Sequence, residues 1–330
     1  MNPAAKGREQ RAGNARGKFS GEEGFALMMV LWVLVLLSIV ALNHMNATRW
    51  NTASTRNLKE ETIGYYLALS GYNEAVHFLM SDRDPGLDYV DASGNFRVDT
   101  DSPPIAGKKL EDAGEVDIRI TDEDSKININ NASSEGLKAL FTYAGLDDEK
   151  AAGLVDAVLD WRDPDSERRL NGAEDEYYEG LPDPYKAKNA FFDLPEELLL
   201  VKGMKPEYLY GSKDIHPILP LITTFGTGNV NINTASPELM TYMGLNSFEV
   251  EALLKQRSPE AGGFRAIPPQ FADRGFKSMA SANLRIEVSG RAKNSTLLSK
   301  IVAVVNRQPA GRGFRVRTLY WKEYEESSGS

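Results

Sequence analysis

Residues 25–42 read FALMMVLWVLVLLSIVAL, and this apolar stretch determines how the rest of the chain is interpreted. The stretch contains no charged residue. Roughly 20 apolar residues, with a range of about 17–25, are enough for a helix to cross the hydrocarbon core of a bilayer. A helix that is apolar on every face spans a membrane or lies at the centre of a large protein, and the residues before it offer no such protein. The sequence therefore predicts a transmembrane helix over residues 25–42.

The residues before the apolar stretch indicate its orientation. They include the basic residues Lys6, Arg8, Arg11, Arg16 and Lys18. Basic residues beside a membrane helix prefer the cytoplasmic side. The stretch is longer than the apolar region of an ordinary secretory signal, and no A-x-A-like cleavage site follows it. We expect a single-pass membrane protein with its N-terminus in the cytoplasm and the rest of the chain exported.

The junction between the leader and the apolar stretch reads EEG-FALMMV. A polar, basic leader that ends in glycine and is followed by phenylalanine resembles the prepilin cleavage site of type IV pilins and type II secretion pseudopilins. The resemblance implies that prepilin peptidase cuts after Gly24 and that Phe25 becomes the methylated N-terminus. It also implies that the apolar helix stays on the mature protein as a single-pass anchor in the inner membrane, with the bulk of the chain in the periplasm.

Met29 is the fifth residue of the predicted mature chain, at the position where most pilins have a glutamate. A carboxylate in an apolar filament core is costly unless a positive charge pairs with it. A subunit at the tip of a filament has no subunit above it whose N-terminal amine needs such a partner. In lacking this glutamate the chain resembles the large minor pseudopilins of type II secretion, the protein K family. The absence of the glutamate favours a position at the tip of a filament.

The composition argues against several classes of protein. The chain has 330 residues, a net charge of −9 and a pI of about 5.1, which argues against a nucleic-acid-binding body. It contains no cysteine, so stability must come from core size, a metal or assembly. The histidines His44, His77 and His216 are far apart in sequence, and neither G-x-S-x-G nor H-E-x-x-H occurs. We therefore expect that the protein is not an enzyme.

Apolar periodicity predicts one long helix and a few separated strands. The helix should continue to about residue 80, and its half beyond Arg49 is amphipathic and should pack on a sheet, with Ile63, Leu67, Ala75, Phe78 and Leu79 on one face. Alternating residues predict strands over residues 115–123 and, much later, from residues 284, 297 and 314. The last three strands are close together and predict an antiparallel meander. The residues between the first strand and this meander read as mostly helical.

We therefore predict an α+β fold in which a type IV pilin-like long N-terminal helix packs on a small antiparallel sheet, with a large α-helical domain inserted after the first strand. The resemblance to the protein K family implies the same arrangement. The predicted parts are the leader (1–24), the long helix (25–80), the first part of the sheet (81–124), the inserted α-helical domain (125–280) and the last strands of the sheet (281–330).

A repeat lies inside the predicted insertion. NINNASSEG, from Asn128, parallels NINTASPEL, from Asn231, and a Gly-Leu turn follows each copy. We predict two related helical subdomains whose asparagines fix the turns. The repeat also resembles helix-hairpin-helix modules, so the alternative is a membrane-anchored DNA-binding protein of competence type. Asp147, Asp148 and Glu149 would repel phosphate at the first turn, which favours a purely structural hairpin.

The stretch DWRDPDSERRLNGAEDEYYEG, residues 160–180, is densely acidic. Calcium takes six to eight oxygen ligands, and carboxylates at alternating loop positions can face one ion. The alternative is a solvated acidic loop. Members of the protein K family are associated with calcium in the helical domain, and the resemblance therefore favours the ion. The predicted Ca²⁺ ligands are Asp163, Asp165, Glu174 and Asp175.

The resemblance also implies a function. It implies a minor pseudopilin at the tip of the type II secretion pseudopilus, where it helps to initiate assembly for the export of folded proteins across the outer membrane. The implied partners are the other minor pseudopilins, proteins I and J, together with prepilin peptidase and the inner membrane. No nucleic acid is expected among them.

Overall fold

The computed structural model describes residues 21–105, 107–110, 112–310 and 313–327, and the predicted leader up to residue 20 lies outside them. The first helix, α1, spans Gly21–Ser81. The chain divides into two compact units, residues 1–59 and residues 60–330.

The first unit contains the apolar part of α1. Every residue from Phe25 to Leu42 is exposed, and the most apolar window of the helix has a mean hydropathy of 2.9. Among the described residues, α1 is the one helix that is long and apolar enough to cross a membrane. A helix can lie in the hydrocarbon core of a bilayer because its backbone hydrogen bonds are satisfied internally. The helix therefore fits the predicted single-pass anchor.

The second unit contains the end of α1 and all the other elements. In chain order, the strands are β1 (Tyr89–Val90), β2 (Phe96–Arg97), β3 (Lys108–Leu110), β4 (Gly114–Asp122), β5 (Ile127–Asn128), β6 (Ile222–Thr223), β7 (Val230–Asn231), β8 (Phe276–Ser278), β9 (Asn283–Ala292), β10 (Leu297–Ala310) and β11 (Gly313–Ser327). The helices after α1 are α2 (Ser134–Tyr143), α3 (Asp148–Arg162), α4 (Asp175–Glu179), α5 (Pro206–Tyr210), α6 (Pro237–Tyr242), α7 (Ser247–Gln256) and α8 (Pro269–Ala272).

Five strands form one antiparallel sheet in the order β11-β10-β9-β4-β3. The predicted meander is confirmed as β9, β10 and β11. Ile118 lies opposite Val288, and Ile120 lies opposite Ile286, so the apolar positions of β4 and β9 share one face. Edge strand β3 was not predicted from the sequence, because all three of its residues are exposed and show no alternation. The large insertion follows β4, which is the first long strand.

The last turns of α1 cover the apolar face of the sheet. Leu67, Ala75 and Leu79 are buried, as predicted, whereas Ile63 and Phe78 are only partly buried. Gly71 lies directly over the sheet, where a Cβ atom would come within 2.7 Å of the side chains of Val116 and Val288. A glycine is therefore needed for the helix to approach the sheet this closely.

The segment between β4 and β9 has a hydrophobic core of its own. Its buried residues, from Ile129 to Phe276, form one cluster. The residues between α1 and the sheet form a separate cluster. Besides its helices, the insertion contains two short parallel strand pairs, β5 with β6 and β7 with β8. An inserted domain with its own core was expected, but these two-residue ladders were not.

The two sequence repeats make the same contacts. In the first, the side chain of Asn130 exchanges hydrogen bonds with the backbone of Phe192, at 3.0 and 2.8 Å. In the second, Asn233 does the same with Phe264, at 3.1 and 2.7 Å. An arginine closes each repeat, because Arg162 donates to backbone carbonyls of the first turn and Arg257 to those of the second. The repeats are therefore two copies of one structural module.

The turns that raised the DNA-binding alternative act as helix caps. The Asp147 carboxylate accepts a hydrogen bond from the backbone N–H of Lys150 at 2.9 Å and caps α3. Asn246 accepts one from Glu249 at 3.0 Å and caps α7. Side chains of this kind satisfy the free N–H groups at a helix start. The two turns therefore have the structural role that the sequence favoured.

Candidate metal centre

The acidic stretch is an additional segment of the first repeat. In the second repeat, residues 258–263 connect the closing arginine to the phenylalanine that binds the asparagine. In the first, residues 163–191 occupy this connection. Pro164 disfavours helical backbone at the residue before it, and Asp163 is accordingly extended, with φ −80° and ψ 157°. Helix α3 therefore ends at Arg162, and the carboxylates that follow lie on a loop.

Three of the four predicted ligands come together on this loop. Asp163, Asp165 and Glu174 each present one carboxylate oxygen, and these oxygens lie within 4.8 Å of one another. Both oxygens of Glu174 and one oxygen of Asp163 are buried and have no hydrogen-bond partner among the described residues. A buried charge without a partner is strongly unfavourable. A cation between these oxygens would supply the missing partner.

The electrostatic environment of Glu174 reflects this crowding. Its side chain is 6% exposed. Burial, and after it the negative charges of Asp160 and Asp163, together raise the pKa of Glu174 to about 7. Near neutral pH this carboxyl therefore exchanges readily between its protonated and charged forms, and a bound cation would favour the charged form.

Asp175, the fourth predicted ligand, lies outside this group. One of its oxygens accepts a hydrogen bond from the backbone N–H of Ala187 at 2.9 Å, and the other lies 3.5 Å from the Nζ of Lys186. It thus joins the start of α4 to the far end of the loop. Asp165 has one oxygen engaged by the backbone N–H of Glu167 at 2.8 Å.

Asp160 and Arg169 also organise the cluster, although the sequence did not predict a role for either of them. Asp160 is fully buried, and its carboxylate accepts hydrogen bonds from the backbone and the side chain of Arg169. The same guanidinium nitrogen also donates to Asp163. Behind Asp160 lies Gly172, where a Cβ atom would come within 1.8 Å of the carboxylate. The sequence did contain a signal for such a pairing, because Arg168 and Arg169 are adjacent arginines within the acidic stretch.

Aromatic side chains from the end of α3 and from the acidic segment pack against one another. The ring centroid of Trp161 lies 5.2 Å from that of Tyr178, and Tyr178 lies 5.3 Å from Tyr185. Trp161 and Tyr178 are both buried. Tyr177 is instead 39% exposed, with the Nζ of Lys202 5.1 Å above its ring.

The chemistry of the donors indicates which ion would fit. The oxygens come from carboxylates, the ligands that calcium prefers, whereas zinc favours nitrogen and sulfur. The loop therefore has the residues for a hard divalent cation, and Asp163, Asp165 and Glu174 would hold it.

The comparisons with known proteins agree with this architecture. The family model described as type II secretion system protein K matches residues 115–212. The chain is 26% identical over 258 residues to type II secretion system protein K of Pseudomonas aeruginosa, covering 74% of this chain and 75% of that protein. It is 28% identical over 236 residues to protein K of Aeromonas hydrophila, covering 65% and 68%.

A solved structure shares the fold. The crystal structure of the GspK-GspI-GspJ complex from the enterotoxigenic Escherichia coli type 2 secretion system contains a chain that is 17% identical to this one, with a TM-score of 0.61. The match covers 84% of this chain and 100% of that chain. The resemblance in backbone therefore extends over the sheet and the insertion together.

An N-terminal membrane-anchor helix that packs on a small antiparallel sheet defines a pilin-like protein, and the large helical insertion is the distinguishing feature of this one. The family model and the relatives carry the same name. The chain is similar to the type II secretion system protein K family, the large minor pseudopilins.

Proposed function

We propose that this chain is the tip subunit of the type II secretion pseudopilus and helps to initiate its assembly for the export of folded proteins. The observation that carries the proposal is the place of the insertion on the sheet. Ser299, near the start of β10, contacts the backbone of Glu61. Arg307, near its end, pairs with Asp82 and Asp88 just after α1. The start of β10 therefore lies beside Glu61 of α1, and its end lies beside the residues that directly follow α1.

The insertion is attached at the second of these ends. The chain leaves the sheet at Asp122, which pairs with Leu284, and Asn283 at the return lies opposite Asn306. At about 3.3 Å per residue, Ser299 and Arg307 are separated by roughly 26 Å along the strand. A domain attached at the end of the sheet where α1 ends occupies the place that a further subunit would need. Such a subunit can end a filament but cannot extend it.

The partners follow from the same position. A tip subunit needs a neighbour on one side, and the solved relative assembles with two other subunits, named GspI and GspJ. We propose that the corresponding minor pseudopilins, proteins I and J, bind this chain. We also propose that prepilin peptidase cuts between Gly24 and Phe25 and leaves α1 in the inner membrane with the sheet and the insertion in the periplasm.

Co-assembly in detergent tests the tip assignment. The full chain, carrying an affinity tag at its C-terminus, is produced together with proteins I and J of the same secretion system and purified from membranes. We expect a complex with one copy of this chain, and no assembly of this chain alone. Filaments that contain only this chain, or the absence of I and J from the purified complex, would contradict the proposal.

We further propose that the loop binds calcium through Asp163, Asp165 and Glu174. A ligand that binds only the folded state stabilises it by about 2.7 kcal/mol at a hundredfold excess over Kd. Chelation should therefore lower the melting temperature of the full chain by several degrees, and magnesium should restore little because it requires a tighter octahedral shell. Calorimetry that detects no calcium binding to the full chain would contradict the site.

Paired substitutions locate the ion. Asp163→Ala with Glu174→Ala should lower the melting temperature and abolish its response to chelator. Glu176→Ala with Asp183→Ala is the matched control, because it removes the same charge from two exposed positions of the same segment. The control should keep the full response. An equal loss in both variants would show that overall charge, and not a binding site, causes the effect.

A further inference from the structure

Arg169 has an unusual place in the carboxylate cluster. Its Nη1 atom donates at 2.7 Å to Asp160 and also to Asp163, so that one guanidinium nitrogen bridges two carboxylates. Asp160 is fully buried. The other oxygen of Asp163 is buried and has no hydrogen-bond partner among the described residues. The cluster is thereby divided into a half that contacts the arginine and a half that lacks a cation.

The charges show what each half can accept. The four carboxylates of Asp160, Asp163, Asp165 and Glu174 outnumber the single guanidinium, which leaves three negative charges when all are ionised. One divalent ion beside Asp163, Asp165 and Glu174 reduces this excess to one. Placing a second divalent ion beside Asp160 would bring it against the guanidinium, and like charges at this range repel.

We propose that Arg169 is a fixed counter-ion that occupies a second cation position of this cluster, and that it thereby limits the loop to one calcium ion. This inference rests on the proposed calcium site and extends it to the number of ions bound. Arg169 contacts no proposed ligand other than Asp163, so it acts as a positioning residue. It neutralises Asp160 and directs one oxygen of Asp163 away from the ion position.

Removal of the guanidinium should expose the second position. In Arg169→Met, Asp160 and Asp163 lose their charged partner but keep their oxygens, and two adjacent carboxylates are a usual calcium ligand pair. Equilibrium dialysis of the full chain in detergent, followed by metal analysis, measures the stoichiometry. We expect one calcium ion for the unmodified chain and two for Arg169→Met. Without calcium, Arg169→Met should melt at a lower temperature, because a buried carboxylate then lacks its partner.

Three further variants make the result specific. Arg168→Met removes the same charge from the adjacent, exposed position and should still bind one ion. Arg169→Lys keeps the positive charge and should also bind one. Asp160→Asn combined with Arg169→Met removes both charges, so it should fold without calcium and again bind one ion. This double variant keeps the test informative if Arg169→Met alone fails to fold.

Two results would overturn the inference, and they have different meanings. In the first, the unmodified chain and Arg169→Met each bind one ion, and the two proteins have the same melting temperature in chelator. Arg169 would then not be a counter-ion, but the proposed calcium site would still stand. If the unmodified chain binds no calcium, the proposed site itself is wrong and the inference fails with it.

Discussion

The hydroxyl of Thr234 donates a hydrogen bond to the carboxylate of Asp122 at 2.6 Å, and this contact joins the end of β4 to the second repeat of the insertion. Both residues are buried. The same carboxylate oxygen accepts hydrogen bonds from Ser281 at 2.7 Å and from Asn231 at 3.1 Å. Two residues further on, Asp124 accepts the backbone N–H groups of Ala282 and Asn283, each at 2.9 Å. These carboxylates fix the insertion to the sheet where the chain leaves and returns.

Thr234→Val should therefore weaken the attachment of the insertion. Valine has nearly the shape of threonine but cannot donate to the buried carboxylate of Asp122, and such a loss costs about 1–3 kcal/mol. We expect a lower melting temperature for the full chain in detergent, measured by circular dichroism. Thr241→Val is the control, because its exposed hydroxyl donates only within α6, to Pro237. Equal effects of the two substitutions would show that Asp122 does not depend on Thr234.

The same junction shows where prediction from sequence stops. Alternation within β4 and the repeated NIN motif are local patterns, and they predicted the strands, the insertion and its two modules. The partners of Asp122 are more than a hundred residues away in sequence, and no local pattern indicates which carboxylate will meet them. Arg169 is similar, since the cluster of acidic residues predicted a cation site, but the pairing of Arg169 with Asp160 depends on the path of the loop.

The chain without calcium should become less stable as the pH rises through neutrality. Burial and the nearby charges of Asp160 and Asp163 raise the pKa of Glu174 from 4.5 to about 7. The folded state therefore binds the proton more tightly than the unfolded state. The resulting stabilisation is complete below about pH 4.5 and is lost as the pH rises through about 7. Glu174→Gln, which cannot ionise, should lack this contribution.

Thermal melts of both proteins in chelator, between about pH 5 and about pH 8, measure the effect. Other buried carboxyls titrate in both proteins, so the difference between the two melting temperatures isolates Glu174. We expect the unmodified chain to lose stability relative to Glu174→Gln with rising pH. Calcium should restore the unmodified chain at the upper end of the range and leave the variant largely unchanged. Parallel pH profiles of the two proteins in chelator would contradict the assignment.

Replacement of Gly24 should prevent maturation. Phe25 follows it directly and is 60% exposed at the start of the described anchor surface. If the peptidase site admits only a residue without a side chain at the position before the cut, Gly24→Val should leave the leader attached. The mass of the protein recovered from membranes measures the outcome, and the expected unmodified chain begins at a methylated Phe25. Recovery of the unmodified chain with Met1 still present would contradict the proposed processing.

The substitution Met29→Glu tests whether the anchor or the insertion prevents this chain from polymerising. In the pilin family a glutamate at this position pairs with the N-terminal amine of a neighbouring subunit, so the substitution restores the residue that filament-forming subunits have. Met29 is 53% exposed on α1, and the carboxylate can therefore be accommodated in the monomer near the end of the membrane span. We nevertheless expect no filaments of this chain alone, because the insertion still occupies the end of the sheet.

Met28→Glu, at the adjacent and similarly exposed position, is the control for the added charge. Electron microscopy of the purified proteins and cross-linking in membranes measure the outcome, with binding of proteins I and J as the check that both variants remain folded. Filaments formed by Met29→Glu but not by Met28→Glu would show that Met29, and not the insertion, limits assembly to the tip.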